Sequence, residues 1–573
     1  MRDPVWTLLW CAAFLALAVV PDQKILRWKL LAAEAGVGAV LLSVLASWLS
    51  AAGAAWLRTP LDLPVALYAA GGIFFYALSP ERGASALELN RILFSAATFF
   101  AASQTIPRLK RPARVAGLWT ASAALLGVYA LLQTRGGFWV LAVPELERPI
   151  ATFGNPIFFA AYLAASFAVA LSMTRSASAA SKVFFGVCAA LIAAGLLTTQ
   201  TRASVVGLGA ALAAGAVLLG KGRARWAALF GALALGAAAA WWFRDRQWTH
   251  GLIWRDTVAL WLSRPWLGCG LGRFHIEFPE YATAALRALW PEQKVIINYA
   301  HNEYLQVLAE TGIVGFALLA NLVVAALIAF RRTLRLDGAG GPLAAGLALA
   351  AAALLAQNLF SPDLRFGVSA FLAFFCLGSA LGLSAEPSLR ESPLPEFPGR
   401  YGLAALGAAA LLAWGSLAAQ PMLAQRRLSR QPGFHVQPSQ ELSEALRILE
   451  ERLRAEPGNA DLAESLAFAY AKEKSWDLAM DRFELAARLA PARPGPLNNL
   501  GNIQYSLGNL PRAIAYWERS VVVAPDQIDA HLNLGKALYE TGKLKESSSH
   551  LQAVLRQDPA NEKAQILLKK MIE

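Results

Sequence analysis

Long apolar runs alternate with short polar segments over the first three quarters of the chain. Runs of roughly 18 or more residues with few charges recur about a dozen times, and a run of that length can cross a bilayer as a helix. We predict about 13 membrane spans, at residues 4–20, 30–50, 63–79, 86–104, 115–132, 155–173, 183–199, 203–220, 226–243, 304–330, 342–360, 367–384 and 401–420. The pattern therefore predicts a polytopic, all-α membrane protein.

The longest polar interval between two spans covers residues 244–303. It ends in His301, Asn302 and Glu303, directly before an apolar run. Polar and titratable groups at the mouth of a membrane helix are expensive to desolvate and usually have a function. We therefore expect the chemistry of the protein in this interval.

After the last span the pattern changes to a repeat of 34 residues. Leu500-Gly501 recurs as Leu534-Gly535, and a proline closes each unit, at Pro457, Pro491, Pro525 and Pro559. This period is typical of tetratricopeptide repeats, helix hairpins that bury their apolar faces only against neighbouring units. We predict a leading half-repeat from Leu442 followed by three full repeats. Such a solenoid binds peptides or proteins on its concave face; a stabilising cap without a partner is the alternative.

These patterns predict two domains in an all-α chain. A polytopic membrane helix bundle occupies residues 1–420, and residues 421–436 form a linker. A tetratricopeptide-repeat α-solenoid follows at residues 437–573.

The distribution of charge places the loops relative to the membrane. From residue 437 onward the chain holds 17 Lys and Arg against 19 Asp and Glu, a net charge of −2. The rest of the chain holds 35 Lys and Arg against 20 Asp and Glu, so the membrane region carries +15 and the whole chain +13. Basic residues favour cytoplasmic loops, so this excess does not indicate a nucleic-acid surface. The basic loops that alternate regularly contain Arg108, Lys110, Arg111 and Arg114; Arg175 and Lys182; Lys221, Arg223 and Arg225; and Arg331, Arg332 and Arg335.

If those loops are cytoplasmic, the 244–303 loop and the repeat domain lie outside the cytoplasm. Two basic groups oppose this arrangement: Lys24, Arg27 and Lys29, and Arg426, Arg427 and Arg430. An error of one span near either end would explain them without moving the central loop.

Two short motifs stand at the outer ends of predicted spans. In Thr152-Phe153-Gly154-Asn155-Pro156, Asn155 can cap the sixth span, and capping alone is a sufficient alternative explanation. In the hairpin at residues 199–204, Arg202 stands at a helix N-terminus, where free N–H groups favour an anion such as phosphate or pyrophosphate. An arginine that only reaches toward lipid headgroups is the alternative.

The central loop contains an amphipathic segment. Trp254, Val258, Trp261 and Leu262 fall on one helical face, which suggests a helix in the membrane interface with Arg255 toward the headgroups. The glycines at positions 268, 270 and 272 do not follow a strand, so we interpret them as a turn rather than a nucleotide-binding loop.

His301 is the candidate base. A helix N-terminus disfavours the imidazolium, which keeps the ring neutral and able to accept a proton. A structural hydrogen-bonding role is the alternative. The six histidines show no clustering along the sequence, and neither they nor the four cysteines have the spacing of a metal site, so we predict no metal and no cofactor.

In combination, these motifs resemble the bacterial O-antigen ligase and polymerase superfamily. The resemblance rests on residues 152–156, 201–204, 254–272 and 301–312, and extends over about residues 150–370. It implies a glycosyltransferase C-like bundle in the bacterial cytoplasmic (inner) membrane. It also implies transfer of a glycan from an undecaprenyl-pyrophosphate carrier to an acceptor hydroxyl at the outer face, with inversion and without a metal.

Carried onto this chain, the resemblance implies roles for individual residues. Arg202 and Arg255 would hold the pyrophosphate and His301 would activate the acceptor hydroxyl, with Asn302, Glu303 and Asn155 in support. The acceptor is a glycan, a lipid or a protein, and the repeat domain would recruit a protein partner.

Several functions remain open at this point. A polysaccharide polymerase or a protein O-oligosaccharyltransferase uses the same motifs. A transporter or flippase would also place polar residues at helix ends, although the paired broken helices of such proteins are not evident. A scaffold that anchors the repeat domain would need only one span.

Overall fold

The computed structural model describes most of the chain as helices. The described residues are 2–20, 28–50, 55–80, 82–138, 141–143, 146–219, 222–223, 225–226, 230, 250–287, 297–336, 338, 340–384, 391–393, 399–428, 440–473, 475–559 and 561–572. They form two compact units, Met1–Gln420 and Pro421–Glu573. The prediction of an all-α membrane bundle followed by a helical solenoid is confirmed.

Twelve helices of the first unit correspond to predicted spans. They are α1 (Arg2–Val19), α2 (Trp28–Ser50), α3 (Asp62–Leu78), α4 (Arg82–Thr105), α5 (Ala113–Gln133), α6 (Pro156–Met173), α7 (Ala179–Thr198), α8 (Arg202–Leu219), α12 (Glu303–Thr333), α13 (Gly341–Gln357), α14 (Gly367–Leu383) and α15 (Gly399–Leu428). The predicted ninth span, 226–243, falls mostly outside the described residues. Within the described part, seven helices are long and apolar enough to cross a membrane and four more are shorter apolar helices.

The centre of the bundle is aromatic. The rings of Trp10, Phe14, Trp119, Phe371 and Phe375 pack on one another, with Phe14 stacked on Trp119 at 4.7 Å between centroids. All five are buried. This core joins α1, α5 and α14, so the helix of residues 367–383 lies in the interior of the unit.

The central loop folds on itself as α9 (His250–Ser263), α10 (Phe274–Tyr281) and α11 (Ala284–Arg287). Its own small core contains Ile253, Leu260, Cys269, Phe274, Phe278, Leu286, Ala300 and Ala309. Of the four residues that we assigned to the lipid face of α9, Leu262 is 61% exposed, whereas Trp254, Val258 and Trp261 are half-buried.

Helix α12 is broken at Gly312, where φ is +62° and ψ is −165°. The loop at residues 265–272 fills this break: Cys269 N donates to Ala309 O and Ile313 N donates to Pro265 O, both at 2.9 Å. A Cβ on Gly312 would stand 2.3 Å from the backbone of Trp266, so only glycine fits. The loop that contains the predicted glycine turn therefore hydrogen-bonds through its backbone to α12 on both sides of the break, an arrangement that we call the clamp.

The connections of the bundle meet at two ends. At one end, strand β1 (Ala55–Leu57) pairs antiparallel with β4 (Glu391–Pro393). There Arg108 donates to Ala55 O, at 2.9 Å. Short strands β2 (Gly137–Phe138) and β3 (Leu141–Ala142) form a hairpin in the connection after α5. The connections that contain residues 146–155, 199–201 and 358–366 lie together with the central loop at the opposite end, described below as the site end.

The second unit is a helical solenoid. Its helices are α16 (Gln440–Ala455), α17 (Ala460–Lys472), α18 (Trp476–Leu489), α19 (Gly495–Ser506), α20 (Leu510–Val523), α21 (Ile528–Glu540), α22 (Leu544–Gln557) and α23 (Glu562–Ile572). Gly508 and Gly542, with φ of +78° and +77°, turn the chain inside two of the hairpins. The half-repeat and the three full repeats lie where the 34-residue period predicts them, followed by one closing helix.

Candidate functional site

His301 directly precedes the N-cap of α12. The side chain of Asn302 accepts a hydrogen bond from Leu305 N at 3.1 Å, which is the capping geometry expected of that residue. His301 itself has φ of +53°, a left-handed conformation that a histidine adopts uncommonly. The cap and the turn together fix the position of the imidazole.

The ring of His301 stacks on that of His250, the first residue of α9. The two centroids are 4.8 Å apart and the planes are inclined by 6°. Burial, and then the adjacent His250, lower the pKa of His301 to about 4. The ring is therefore neutral at ordinary pH, as a general base requires. The histidines do not cluster along the sequence, but two pairs meet in space: His250 with His301, and His531 with His550 in the repeat unit.

Glu303 is paired with an arginine that the sequence analysis missed. Arg365 Nε donates to Glu303 Oε2 at 3.1 Å, and its Nη2 donates to Glu310 Oε2 at 2.9 Å. Glu88 also lies 3.2 Å from Arg365. All of these side chains are buried or nearly so. Two carboxylates that follow His301 along α12, Glu303 and Glu310, thus share an arginine from the loop after α13.

That loop, residues 358–366, connects several parts of the site end. Asn358 O accepts from Glu303 N at 2.9 Å. The ring of Phe366 lies 4.0 Å from that of Phe158 on α6 and 5.6 Å from that of Tyr299. Within the loop, burial raises the pKa of Asp363 to about 7, against the opposing hydrogen bonds from Ser361 and Gln357. The loop therefore holds the start of α12 against the start of α6.

Asn155 caps α6 as predicted. Its Oδ1 accepts from Ile157 N at 2.8 Å, and Pro156 takes the first helical position. The motif is also held by Lys29, which is fully buried. Lys29 Nζ donates to Thr152 Oγ1 at 2.9 Å and lies 4.3 Å from the centroid of the Phe153 ring. Lys29, one of the basic residues that oppose the predicted topology, thus contacts the predicted motif at residues 152–156.

Arg202 begins α8, at the end of a tight hairpin. A second arginine lies at the same turn: Arg148 donates to Thr199 O at 3.1 Å and to Thr201 Oγ1 at 3.2 Å. Thr201 also donates to Pro156 O at 3.4 Å, which joins this hairpin to the Asn155 motif. Arg148 was not predicted, because its contacts lie about 50 residues away in sequence.

Arg255 lies on α9, five residues after His250. Its side chain is 55% exposed and its Nε donates to Asp256 Oδ1 at 3.0 Å. Buried Asp256 accepts in turn from Thr283 N at 2.8 Å. The structure links Arg202 to His301 through the Asn155 motif and Phe366, and links Arg255 to His301 through α9.

The backbone is unusual at the same three motifs. Within the described part of the chain, three non-glycine residues have positive φ: Ala151, Gln200 and His301, at +45°, +50° and +53°. One precedes the Asn155 motif, one precedes Arg202 and one is the candidate base. Strained backbone is retained where the surrounding structure enforces it, often at functional sites.

A small cavity with mainly apolar walls and a few charged side chains lies behind these motifs, with a volume of about 50 Å³. Its polar walls come from Glu88, Arg91, Glu303, Glu310 and Arg365. The cavity has room for a few water molecules but not for a sugar. In the described residues, no group of three or more His, Cys, Asp and Glu side chains is arranged to hold a metal ion.

The fold and this site define a multi-pass membrane protein whose polar loops converge at one end of the bundle. A sequence profile of the family described as O-Antigen ligase matches residues 160–320, and a profile described as TPR repeat matches residues 501–542. Over these residues the chain is similar to O-antigen ligases in its membrane unit and to tetratricopeptide repeats in its second unit. The first match contains Arg202, Arg255 and His301, whereas Asn155 and Arg365 lie outside it.

Solved structures resemble only part of the chain. The first tetratricopeptide repeat of Spaghetti (RPAP3), bound to an HSP90 peptide, is 22% identical over 20% of this chain and 89% of that chain, with a TM-score of 0.19. MamA is 17% identical over 23% and 72%, with a TM-score of 0.22. The Arabidopsis OM64 repeat domain is 20% identical over 20% and 93%, with a TM-score of 0.19. No curated protein matches the chain.

Proposed function

We propose that the protein transfers a glycan from an undecaprenyl-pyrophosphate carrier to an acceptor hydroxyl at the outer face of the bacterial cytoplasmic membrane. The observation that carries the proposal is the convergence of the motif loops on His301. The Asn155 motif, the Arg202 hairpin and the His301 turn each contain a positive-φ residue, and Phe366 and Thr201 connect them by direct contacts. The family match covers two of these three motifs.

In the proposed reaction His301 is the general base. The neutral imidazole accepts the proton of the acceptor hydroxyl as its oxygen bonds to the anomeric carbon of the glycan. The bond from that carbon to the carrier pyrophosphate breaks, and its electron pair leaves with the pyrophosphate oxygen. Attack from the opposite face inverts the anomeric centre.

Arg202 and Arg255 are the proposed pyrophosphate ligands. Arg202 stands at a helix N-terminus, where free N–H groups and the helix dipole also favour an anion. Arg255 is exposed enough to reach a ligand. Positive charge that binds the carrier more tightly as its leaving oxygen becomes anionic lowers the barrier. No step of this scheme uses a metal ion.

The repeat domain is proposed to bind a protein partner on the same side of the membrane as the site. Tetratricopeptide repeats mediate protein interactions. Such a partner would bring an acceptor or another assembly protein to the membrane, and a protein acceptor would make the reaction a protein O-glycosylation.

The test is surface-glycan profiling in the native host. A deletion strain is complemented with wild type, His301→Ala, Arg202→Ala or Arg175→Ala. Arg175 is an exposed arginine in the connection between α6 and α7, a predicted cytoplasmic loop, and serves as the matched control. Expression of each variant is equalised by immunoblot.

We expect His301→Ala and Arg202→Ala to reproduce the deletion while Arg175→Ala restores the profile. Accumulation of full-length glycan on the lipid carrier supports ligation, and accumulation of single repeat units supports a polymerase instead. A normal profile from His301→Ala refutes the catalytic assignment and favours a transport or scaffold role.

A further inference from the structure

His250 and His301 form the closest pairing of titratable rings at the site end. The nearly parallel stack at 4.8 Å joins residues that are far apart in sequence, one at the start of α9 and one before α12. In this arrangement the faces of the rings meet, so the ring nitrogens do not hydrogen-bond to one another across the stack. The pair therefore interacts through ring packing and charge.

Two imidazolium ions at this separation repel each other strongly. At an effective dielectric constant of about 20, unit charges this close interact by several times the thermal energy. His301 also lies directly before the N-cap of α12, and a helix N-terminus disfavours positive charge. Over most of the acidic range, at most one of the two rings is therefore protonated to the imidazolium. The titration is a property of the pair rather than of either ring alone.

Burial decides which ring is charged first. Burial lowers the pKa of both rings, and His301 is the more deeply enclosed. Charge on His250 lowers the pKa of His301 further. The neighbouring carboxylates contact arginines: Glu303 shares Arg365 with Glu310 and Glu88, and Asp256 pairs with Arg255.

We infer that His250 is a positioning residue that holds His301 in its neutral, proton-accepting form when the surroundings become acidic. It does so by stacking on His301 and by taking the first proton of the pair. The inference rests on the proposed role of His301 as the base. It assigns to His250 a role in setting the acid limit of the reaction rather than in contacting the substrate.

The test measures protonation directly, without a glycan donor. Diethylpyrocarbonate modifies neutral imidazole, so its reaction with each histidine across pH reports that ring's titration. Full-length protein in detergent is treated between about pH 3.5 and pH 8, a range that brackets an ordinary histidine. Peptide mass spectrometry then quantifies modification at His250, at His301 and at His275 as an internal reference. His250→Phe keeps an aromatic ring in the stack and removes the charge.

In the wild type we expect the midpoint of His301 to lie near pH 4 and below the midpoint of His250. In His250→Phe the His301 midpoint moves upward by about 1 pH unit, while that of His275 does not move. An unchanged His301 midpoint overturns the inference. So does a wild-type protein in which His301 is protonated before His250, a result that needs no folded variant.

Activity then separates this inference from the proposed function. If His301→Ala still supports glycan transfer, the proposed function fails, whatever the midpoints are. If His301→Ala is inactive and His250→Phe loses activity at a higher pH than wild type, both proposals stand. If His250→Phe has the same pH profile as wild type and reduced activity at every pH, its role is only structural and the inference is wrong.

Discussion

Nη2 of Arg365 lies 2.9 Å from Oε2 of Glu310, and both side chains are almost completely buried, with 4% and 1% of their surfaces exposed. This ion pair joins the 358–366 loop to the first turns of α12. The same guanidinium contacts Glu303, two residues after His301. The geometry of the candidate base therefore depends on a residue more than 60 positions later in the chain.

Replacement of Arg365 by glutamine should destabilise the membrane unit. Removing one partner of a buried ion pair costs about 3–5 kcal/mol, because the remaining charges lose their compensation. We expect a clear fall in the unfolding temperature of detergent-purified protein. Arg331→Gln is the control, since Arg331 is exposed near the other end of α12. Equal unfolding temperatures for Arg365→Gln and wild type would show that the cluster contributes little to stability.

Replacement of Gly312 by alanine should disrupt the clamp between α12 and the 265–272 loop. The new Cβ would stand 2.3 Å from the carbonyl of Trp266, and the residue would keep a positive φ. A strained conformation of this kind costs about 1–3 kcal/mol before the clash is counted. Gly209→Ala is the matched control, because a Cβ there meets nothing within 4 Å. Thermal unfolding of both variants checks the prediction, which fails if Gly312→Ala is as stable as Gly209→Ala.

The pH dependence of the reaction should follow His301. A base whose pKa is lowered to about 4 stays neutral as the pH falls through the usual histidine range. We expect the transfer rate, measured on right-side-out or detergent-solubilised membranes, to persist to about pH 4 and to fall below it. An acid limb at the ordinary histidine value, about pH 6.5, would contradict this expectation.

The lowered pKa of His301 also makes the folded protein less stable at low pH. The unfolded chain binds a proton at His301 at a higher pH than the folded protein does. The stabilising contribution is therefore complete above about pH 6.5 and is lost as the pH falls toward 4. His301→Phe should weaken the pH dependence of the unfolding temperature in this window. If the unfolding temperature of His301→Phe depends on pH as that of wild type does, groups other than His301 titrate in this window.

Replacement of Lys29 by methionine tests the support of the Asn155 motif. Methionine retains most of the apolar stem but loses the hydrogen bond to Thr152 and the charge over Phe153. A hydrogen bond from a charged group contributes about 1.5–3 kcal/mol, so we expect lower stability and a reduced rate. Lys182→Met, at an exposed position of α7, is the control. Wild-type stability and rate in Lys29→Met would refute a role for this lysine at the motif.

Local patterns predicted most of the architecture. The spans follow from apolar runs of membrane length, and the repeats follow from a fixed period, because both features depend on residues close together in sequence. The cap at Asn155 was predicted for the same reason, since its side chain bonds to a backbone N–H two residues later. The break at Gly312 was not predicted, because its cause is a loop that begins some 47 residues earlier.

The sequence alone determined the all-α class, the positions of twelve of the thirteen predicted spans, the repeat domain, and the motifs around Arg202 and His301. Only the tertiary structure decided which groups complete the site: Lys29 beside Thr152, Arg148 beside Thr201, His250 beside His301, and Arg365 beside Glu303 and Glu310. The reason is physical. Hydrophobic period and capping act over a few residues, whereas a buried charge finds its partner across the bundle, 123 positions away for Lys29 and Thr152. Packing of the helices therefore selects these partners.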